Sequence, residues 1–244
     1  MLSTLEVPID SLDSALLAAP FATRLELCDD LASEGWSPDW NLVARTVGET
    51  GVHVVAMLRP RLPGAVEALV PAAFRTSPAL LDACLREVDR AAAAGARSVA
   101  LSLLTESAEV DREACARLVA ETHARGMQAA FLRTFDLLPD RERGMRDITE
   151  LGFTRVVTAG VRGWDASVLP IDRRVEALRQ DAEHARRFAE ASGRPPVEVV
   201  PGGGVRAGNA AEFLRVSPHL HASCRRDGAI HPEELKALAE AMGR

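Results

Sequence analysis

Three groups of residues in this sequence are of types and spacings that could do chemistry. The first lies in the stretch 197–209, VEVVPGGGVRAGN, where a β-branched run meets Pro201 and three glycines before a helical apolar spacing sets in over 207–216. Strand, glycine turn and helix in that order aim backbone N–H groups and the positive end of a helix at one point, which suits an anion. The plain alternative is a tight strand-to-helix turn with nothing bound. A further strand-like run, Leu220-His221-Ala222-Ser223-Cys224, follows with Arg225 and Arg226. Gly203, Gly204, Arg206, His221, Ser223 and Arg225 are therefore candidates for an anion or phosphate site. The second group is Glu6, Glu26, Arg59, Arg133 and Asp136, charged residues at or near the ends of apolar runs. Two carboxyls facing several guanidinium groups could hold an anionic or polyhydroxylated ligand and shift one carboxyl pKa toward general acid–base work. They could equally close on one another as internal ion pairs. The third group is a single thiol, Cys28, the candidate soft-metal ligand.

Such residues need elements to hold them. Strand patterns fall at 5–9, 24–28, 52–58, 98–104, 127–132, 155–158, 197–200 and 220–224, with helical patterns between them and a last helix from His231-Pro232 to about Met242. Pro8 is awkward inside a central strand, because it brings no N–H to the ladder. The segment 62–77 reads as a long loop with a short helical turn at 65–70. Eight strands alternating with helices predict an α/β fold, a single TIM-like (β/α)8 barrel spanning 1–244, and 244 residues is close to the usual size of one. An open doubly wound sheet is the alternative. In a barrel, chemistry sits at the C-terminal strand ends and phosphate sites form after strands 7 and 8, which is where the candidates fall.

Composition narrows the function classes. A net charge of −6 gives no basic field for nucleic acid. The four cysteines, Cys28, Cys84, Cys115 and Cys224, form no CxxC pair, so neither a zinc ribbon nor a disulfide framework is indicated, and Cys84 and Cys115 fall on apolar helix faces. No apolar run approaches the roughly 20 residues that span a bilayer. The opening MLSTLEVPID carries acids where a leader would be apolar. A reduced cytoplasmic location is expected. Ser223 lies outside any G-x-S-x-G elbow, so a serine hydrolase is not indicated.

Leu5-Glu6-Val7 with Asp10-Ser11, Arg24-Leu25-Glu26-Leu27-Cys28, Met57-Leu58-Arg59-Pro60-Arg61, Phe131-Leu132-Arg133-Thr134-Phe135-Asp136, Pro201-Gly202-Gly203-Gly204-Val205-Arg206 and His221-Ala222-Ser223 together resemble the CutC family, from Glu6 to about Arg225. The resemblance implies a TIM-like barrel, a role in copper homeostasis, Cu(I) as the ligand of cysteine, a cytoplasmic protein and a homodimer; it implies no established reaction. The sequence departs from the family pattern at Pro8, where a cysteine is usual, and at Leu132, where a histidine is usual. Leu62-Pro63-Gly64-Ala65 replaces the Gly-Gly-Asp-Phe segment, and the chain stops soon after the eighth strand. Three readings stand: weak Cu(I) binding through Cys28, a barrel that binds or transforms a small phosphorylated or carboxylated metabolite, and a non-catalytic interaction protein.

Overall fold

A computed structural model describes residues 3–243. The expected span 1–244 and the leader reading of the first ten residues both include positions outside the described residues. Eight parallel strands, β1 (Thr4–Ile9), β2 (Arg24–Leu27), β3 (His53–Met57), β4 (Ser98–Leu101), β5 (Gln128–Phe131), β6 (Arg155–Thr158), β7 (Glu198–Pro201) and β8 (His219–His221), pair in sequence order from β1 to β7, and β8 returns to β1. β7 and β8 lie side by side without a ladder among the described residues, so the barrel is closed except along that seam. The helices are α1 (Leu12–Ala18), α2 (Trp40–Thr50), α3 (Pro78–Ala93), α4 (Arg112–Ala124), α5 (Arg141–Leu151), α6 (Ile171–Ser192), α7 (Ala210–Leu214) and α8 (Pro232–Ala241). Several start where a short polar side chain takes up orphan N–H groups: Ser11, Asp39, Ser77, Asp111 and Asp140 each accept from the first turn.

The strands alternate between two cores. Outward-facing residues such as Leu5, Val7, Leu25, Val54, Val99, Phe131 and Val156 pack under the helices in the large apolar cluster. Inward-facing residues form a much smaller apolar cluster of Cys28, Val55, Met57, Ala100, Ala130 and Leu132, and the rest of the interior is polar. At its N-terminal end Thr4 bonds His219 at 2.8 Å, His53 bonds Ser98 at 2.7 Å, and Arg24 lies 3.5 Å from Glu198. Burial and the surrounding arginines hold His53 uncharged, its pKa lowered to about 4.

All eight strands occupy the expected positions, and three local expectations change. Pro8 is accommodated in the central strand β1. The carbonyls of Leu5 and Ile9 accept from Thr23 and Cys28 on the β2 side, and that of Glu6 accepts from Ala222 on the β8 side. Alternation therefore turns position 8 toward β8 beyond its last paired residue, His221, where no donor is needed. In the segment 62–77 the short turn is a 3-10 helix at Pro71–Phe74, not 65–70. Arg59 Nη2 takes the carbonyls of Val66 and Glu67, which withdraws them from any helical turn there. The helix after the glycines is α7, only five residues, because Asn209 folds back to accept from Arg206 N and to donate to Gly204 O. A two-residue hairpin, β9 (Arg225–Arg226) with β10 (Ala229–Ile230), follows β8.

Candidate functional site

Inward-facing residues of β1, β2, β6 and β8 build a charged cluster on the barrel axis. Glu6 Oε2 accepts from Arg155 Nη1 at 3.0 Å, and Glu6 Oε1 pairs with His221 Nδ1 at 3.0 Å. The other imidazole nitrogen, Nε2, lies 3.9 Å from Glu26 Oε2. Glu6, Arg155 and Glu26 are buried, Glu26 to 4% exposure, and His221 is half-buried, yet no hydrogen bond reaches the Glu26 carboxyl from any described residue. Environment separates the two acids. Burial pushes both upward, but Arg155 and His221 hold Glu6 down at about 2, whereas burial and the Glu6 charge carry Glu26 up to about 7. Burial opposes the charge on His221, and the Glu6 hydrogen bond with the two carboxylates outweighs it, so its pKa is raised.

Above Glu26 and His221 opens a cavity of about 540 Å³, a usual size for a small-molecule site. Its lining includes Arg59, Arg133, Arg225, Ser223, Gly203 and Gly204, so most of the residues singled out in the sequence converge there. Arg133 is held from both sides, donating to Asp136 Oδ2 at 3.3 Å and to the Trp164 carbonyl at 2.7 Å with its guanidinium 4.5 Å over the Trp164 ring. Its Nη1 has no acceptor among the described residues. Gly203 sits against it at φ +69°, and a Cβ there would be 3.3 Å from Arg133 Cζ and 2.9 Å from Ala159 Cβ, so only glycine permits this approach. Arg174, buried on α6, takes the carbonyls of Gly202 and Gly203 at 2.8 and 2.7 Å. The N–H groups of Gly203 and Gly204 have no protein acceptor among the described residues.

Other candidates play supporting parts. Asp136 is fully enclosed and binds Thr158, Ala159 N, Arg141 and Arg133, tying the loop after β5 to β6 and aiming Arg133. Glu6 lies beneath the cavity floor. Arg206 turns to Ser223 Oγ and the carbonyls of Val205 and Arg225, away from the cavity. Arg225 reaches Asp10 at 2.6 Å. Arg59 lines the wall, with its terminal nitrogens on the carbonyls of Ser33, Gly35, Val66 and Glu67. Because α7 is so short, the glycine turn offers backbone donors and no helix end. Arg155, Arg174 and Trp164 were not singled out from sequence. Arg155 had a signal: in β6 it shares inward parity with Val157, which lines the cavity opposite the two acids.

The protein is thus a β/α barrel whose axial pocket ends in a cluster of two carboxyls and an imidazole. The family model for the CutC family matches residues 3–225, and the chain belongs to that family. A family protein CutC of Sinorhizobium medicae is 33% identical over 90% of this chain and 80% of its own length. The human copper homeostasis protein cutC homolog is 28% identical over 98% of this chain and 79% of its own. The crystal structure of CutC from Streptococcus agalactiae superposes with a TM-score of 0.75 at 24% identity, covering 91% of this chain and 99% of that one.

Copper(I) calls for soft thiolate or thioether donors. Glu6, Glu26 and His221 come within 4.8 Å of one another, but they are hard or borderline donors, and both Glu6 oxygens are already engaged. Cys28 is wholly enclosed, its Sγ 3.8 Å from the Ile9 carbonyl, and burial holds its thiol far above the usual range. Met57 shares its inward cluster, both lying against Gly35. These residues do not fit a resident Cu(I) ion.

Proposed function

We propose that this protein binds a small phosphorylated or carboxylated metabolite at the barrel mouth and moves protons on it through Glu26. The observation that carries this reading is the Glu26 carboxyl: buried, free of hydrogen bonds, open to a cavity, and titrating near neutrality. A group poised there can both take and return a proton at working pH. His221, its pKa raised by Glu6 and Glu26, would donate to an oxygen beside it, and Arg133 with the Gly203 and Gly204 N–H groups would hold the anionic end. The supporting roles follow: Arg155 keeps Glu6 ionised, and Asp136 and Trp164 fix Arg133. Thermal melts with inorganic phosphate and a panel of phosphorylated and carboxylated metabolites test the reading. A ligand at a hundredfold excess over its Kd adds about 2.7 kcal/mol. The upward shift must vanish in Arg133→Ala, while Glu26→Gln must keep binding and lose turnover. No shift with any anion would overturn it.

A second reading, Cu(I) handling, draws its support from the name of the human relative and from the adjacency of Cys28 and Met57. It requires a copper-induced melting shift that disappears in Cys28→Ser. The cytoplasmic location and the homodimer belong to the same proposal. Four free thiols suit a reducing compartment, and light scattering of the purified protein reads the assembly state.

A further inference from the structure

The axial cavity differs on its two sides. Its hydrogen-bond donors gather after β7 and β8: the Gly203–Gly204 turn, Arg133 reaching across to it, and Ser223 and Arg225. β7 and β3 stand four strands apart, which places them on opposite sides of the barrel. The wall facing the donors, at the ends of β2, β3 and β5, is built from Leu31, Met57, Leu69, Phe74 and Leu132. Two charged residues interrupt that wall, and neither can hold an anion. Arg59 places its terminal N–H groups on the carbonyls of Ser33, Gly35, Val66 and Glu67 and lies over the rings of Trp36 and Phe74 at 4.0 and 5.1 Å. Its charge is already met by Glu34 and Glu67. Glu34, exposed on the same wall, would repel an anion. The carboxylate on the donor side, Asp165, is turned to Ser167, accepting from its N and its Oγ.

This asymmetry sets how a ligand lies. The glycine turn packs on the imidazole of the site, since a Cβ on Gly202 would sit 3.7 Å from His221 Cβ and Cδ2. An anion held at Gly203, Gly204 and Arg133 therefore stands beside His221, and the rest of the ligand extends over Glu26 toward Met57, Leu69 and Leu132. A hydroxyl on that part would leave water for a wall with no free side-chain donor, and a buried hydroxyl without partners is strongly disfavoured. Hydrocarbon in the same place gains by burial. A cavity of about 540 Å³ gives far more room than an inorganic anion fills, so the body against this wall is the larger part of the ligand.

We infer that the ligand of the axial cavity is an anion with an apolar body, an alkyl or aryl phosphate or carboxylate, and not a sugar phosphate. This rests on the anion site proposed above and specifies what the anion must carry. The test is calorimetric titration of the whole protein with inorganic phosphate, ribose 5-phosphate, n-butyl phosphate and valerate, repeated in Arg133→Ala, Leu69→Ser and Leu132→Ser. The last two ligands share a four-carbon chain, and the tighter of them names the anionic group. That ligand should bind at least about tenfold tighter than inorganic phosphate and ribose 5-phosphate, because each buried methylene contributes about fourfold. Leu69→Ser and Leu132→Ser should each weaken it about tenfold and leave inorganic phosphate unchanged. Leu69 is half-buried in a loop, so its variant answers the question if Leu132→Ser disturbs the barrel. Arg133→Ala should remove binding of all four. Ribose 5-phosphate binding as tightly as the four-carbon anions would overturn the inference and leave the anion site standing. Binding of none of the four would overturn the anion site and this inference with it. A four-carbon anion that still binds to Arg133→Ala would have its chain outside the axial cavity, which also overturns the inference.

Discussion

Replacing Glu26 by glutamine keeps the shape of the side chain and removes its titration, which isolates what the buried carboxyl does to stability. In the folded protein burial raises its pKa from an ordinary 4.5 to about 7. A carboxyl raised in this way favours the folded state while both states are protonated, below about 4.5. That contribution is lost as pH climbs toward 7 and is absent above it, because the folded state then carries a buried charge that the unfolded chain bears in water. A displacement of roughly two to three pH units corresponds to about 3 kcal/mol. Wild type and Glu26→Gln should therefore melt alike near pH 5, and at pH 8 the variant should be the more stable by about 3 kcal/mol, some 6–12 °C in Tm for a chain of this size. Melts followed by tryptophan fluorescence at pH 5, 6, 7 and 8 read the difference directly. A gap between variant and wild type that stays constant across that range would show that Glu26 does not titrate near neutrality, and the acid–base reading would fall with it.

Glu6 carries the opposite sign. Held down at about 2, it contributes stability above pH 4.5 that is lost as pH falls toward 2, so Glu6→Gln should lose less stability than wild type across that range in denaturant titrations. Arg155→Met leaves the buried Glu6 carboxylate facing only His221 and should cost about 3–5 kcal/mol by denaturant titration; adding Glu6→Gln should recover most of the loss, and a simple sum of the two single effects would refute the pairing. Gly203→Ala puts a methyl 2.9 Å from Ala159 Cβ at positive φ and should lower stability and weaken anion binding together, whereas Gly204→Ala, at φ +78° but in open space, should show only the backbone strain of about 1–2 kcal/mol in its Tm. All four thiols are enclosed, so a thiol reagent should label none in the native protein and four after unfolding; rapid native labelling of Cys28 would reopen the copper reading.

The barrel was legible because its evidence is local. Each strand is a short apolar run with a helix-capping residue or a glycine nearby, and the eightfold repeat leaves few other ways to bury both faces of so many strands. Candidate residues were legible for a related reason: Glu6, Glu26, Arg133 and His221 break apolar strand ends where an apolar residue would otherwise serve. What stayed hidden depends on the angles between elements. Sequence spacing offers nothing that brings Arg155 across the barrel to Glu6, or Arg174 from α6 under the glycine carbonyls, since those pairs are 149 and 28 residues apart. Asp136 and Arg206 show the converse error, in which a charged residue near a strand end belongs to the scaffold and not to the cavity.

The two carboxyls, Glu6 and Glu26, read from sequence as either internal ion pairs or part of a ligand site, end in different surroundings. Glu6 is the satisfied member, with an oxygen on Arg155 and another on His221. Glu26 is the unsatisfied one, the same residue type one strand away, 3.9 Å from the His221 imidazole and facing open space. A barrel that needed only internal neutrality could have placed an apolar residue at position 26, as it did with Leu132 and Met57 around the same mouth. Retaining a buried carboxyl without a donor costs stability at neutral pH, and the group best able to offset that cost is a ligand that shares its proton.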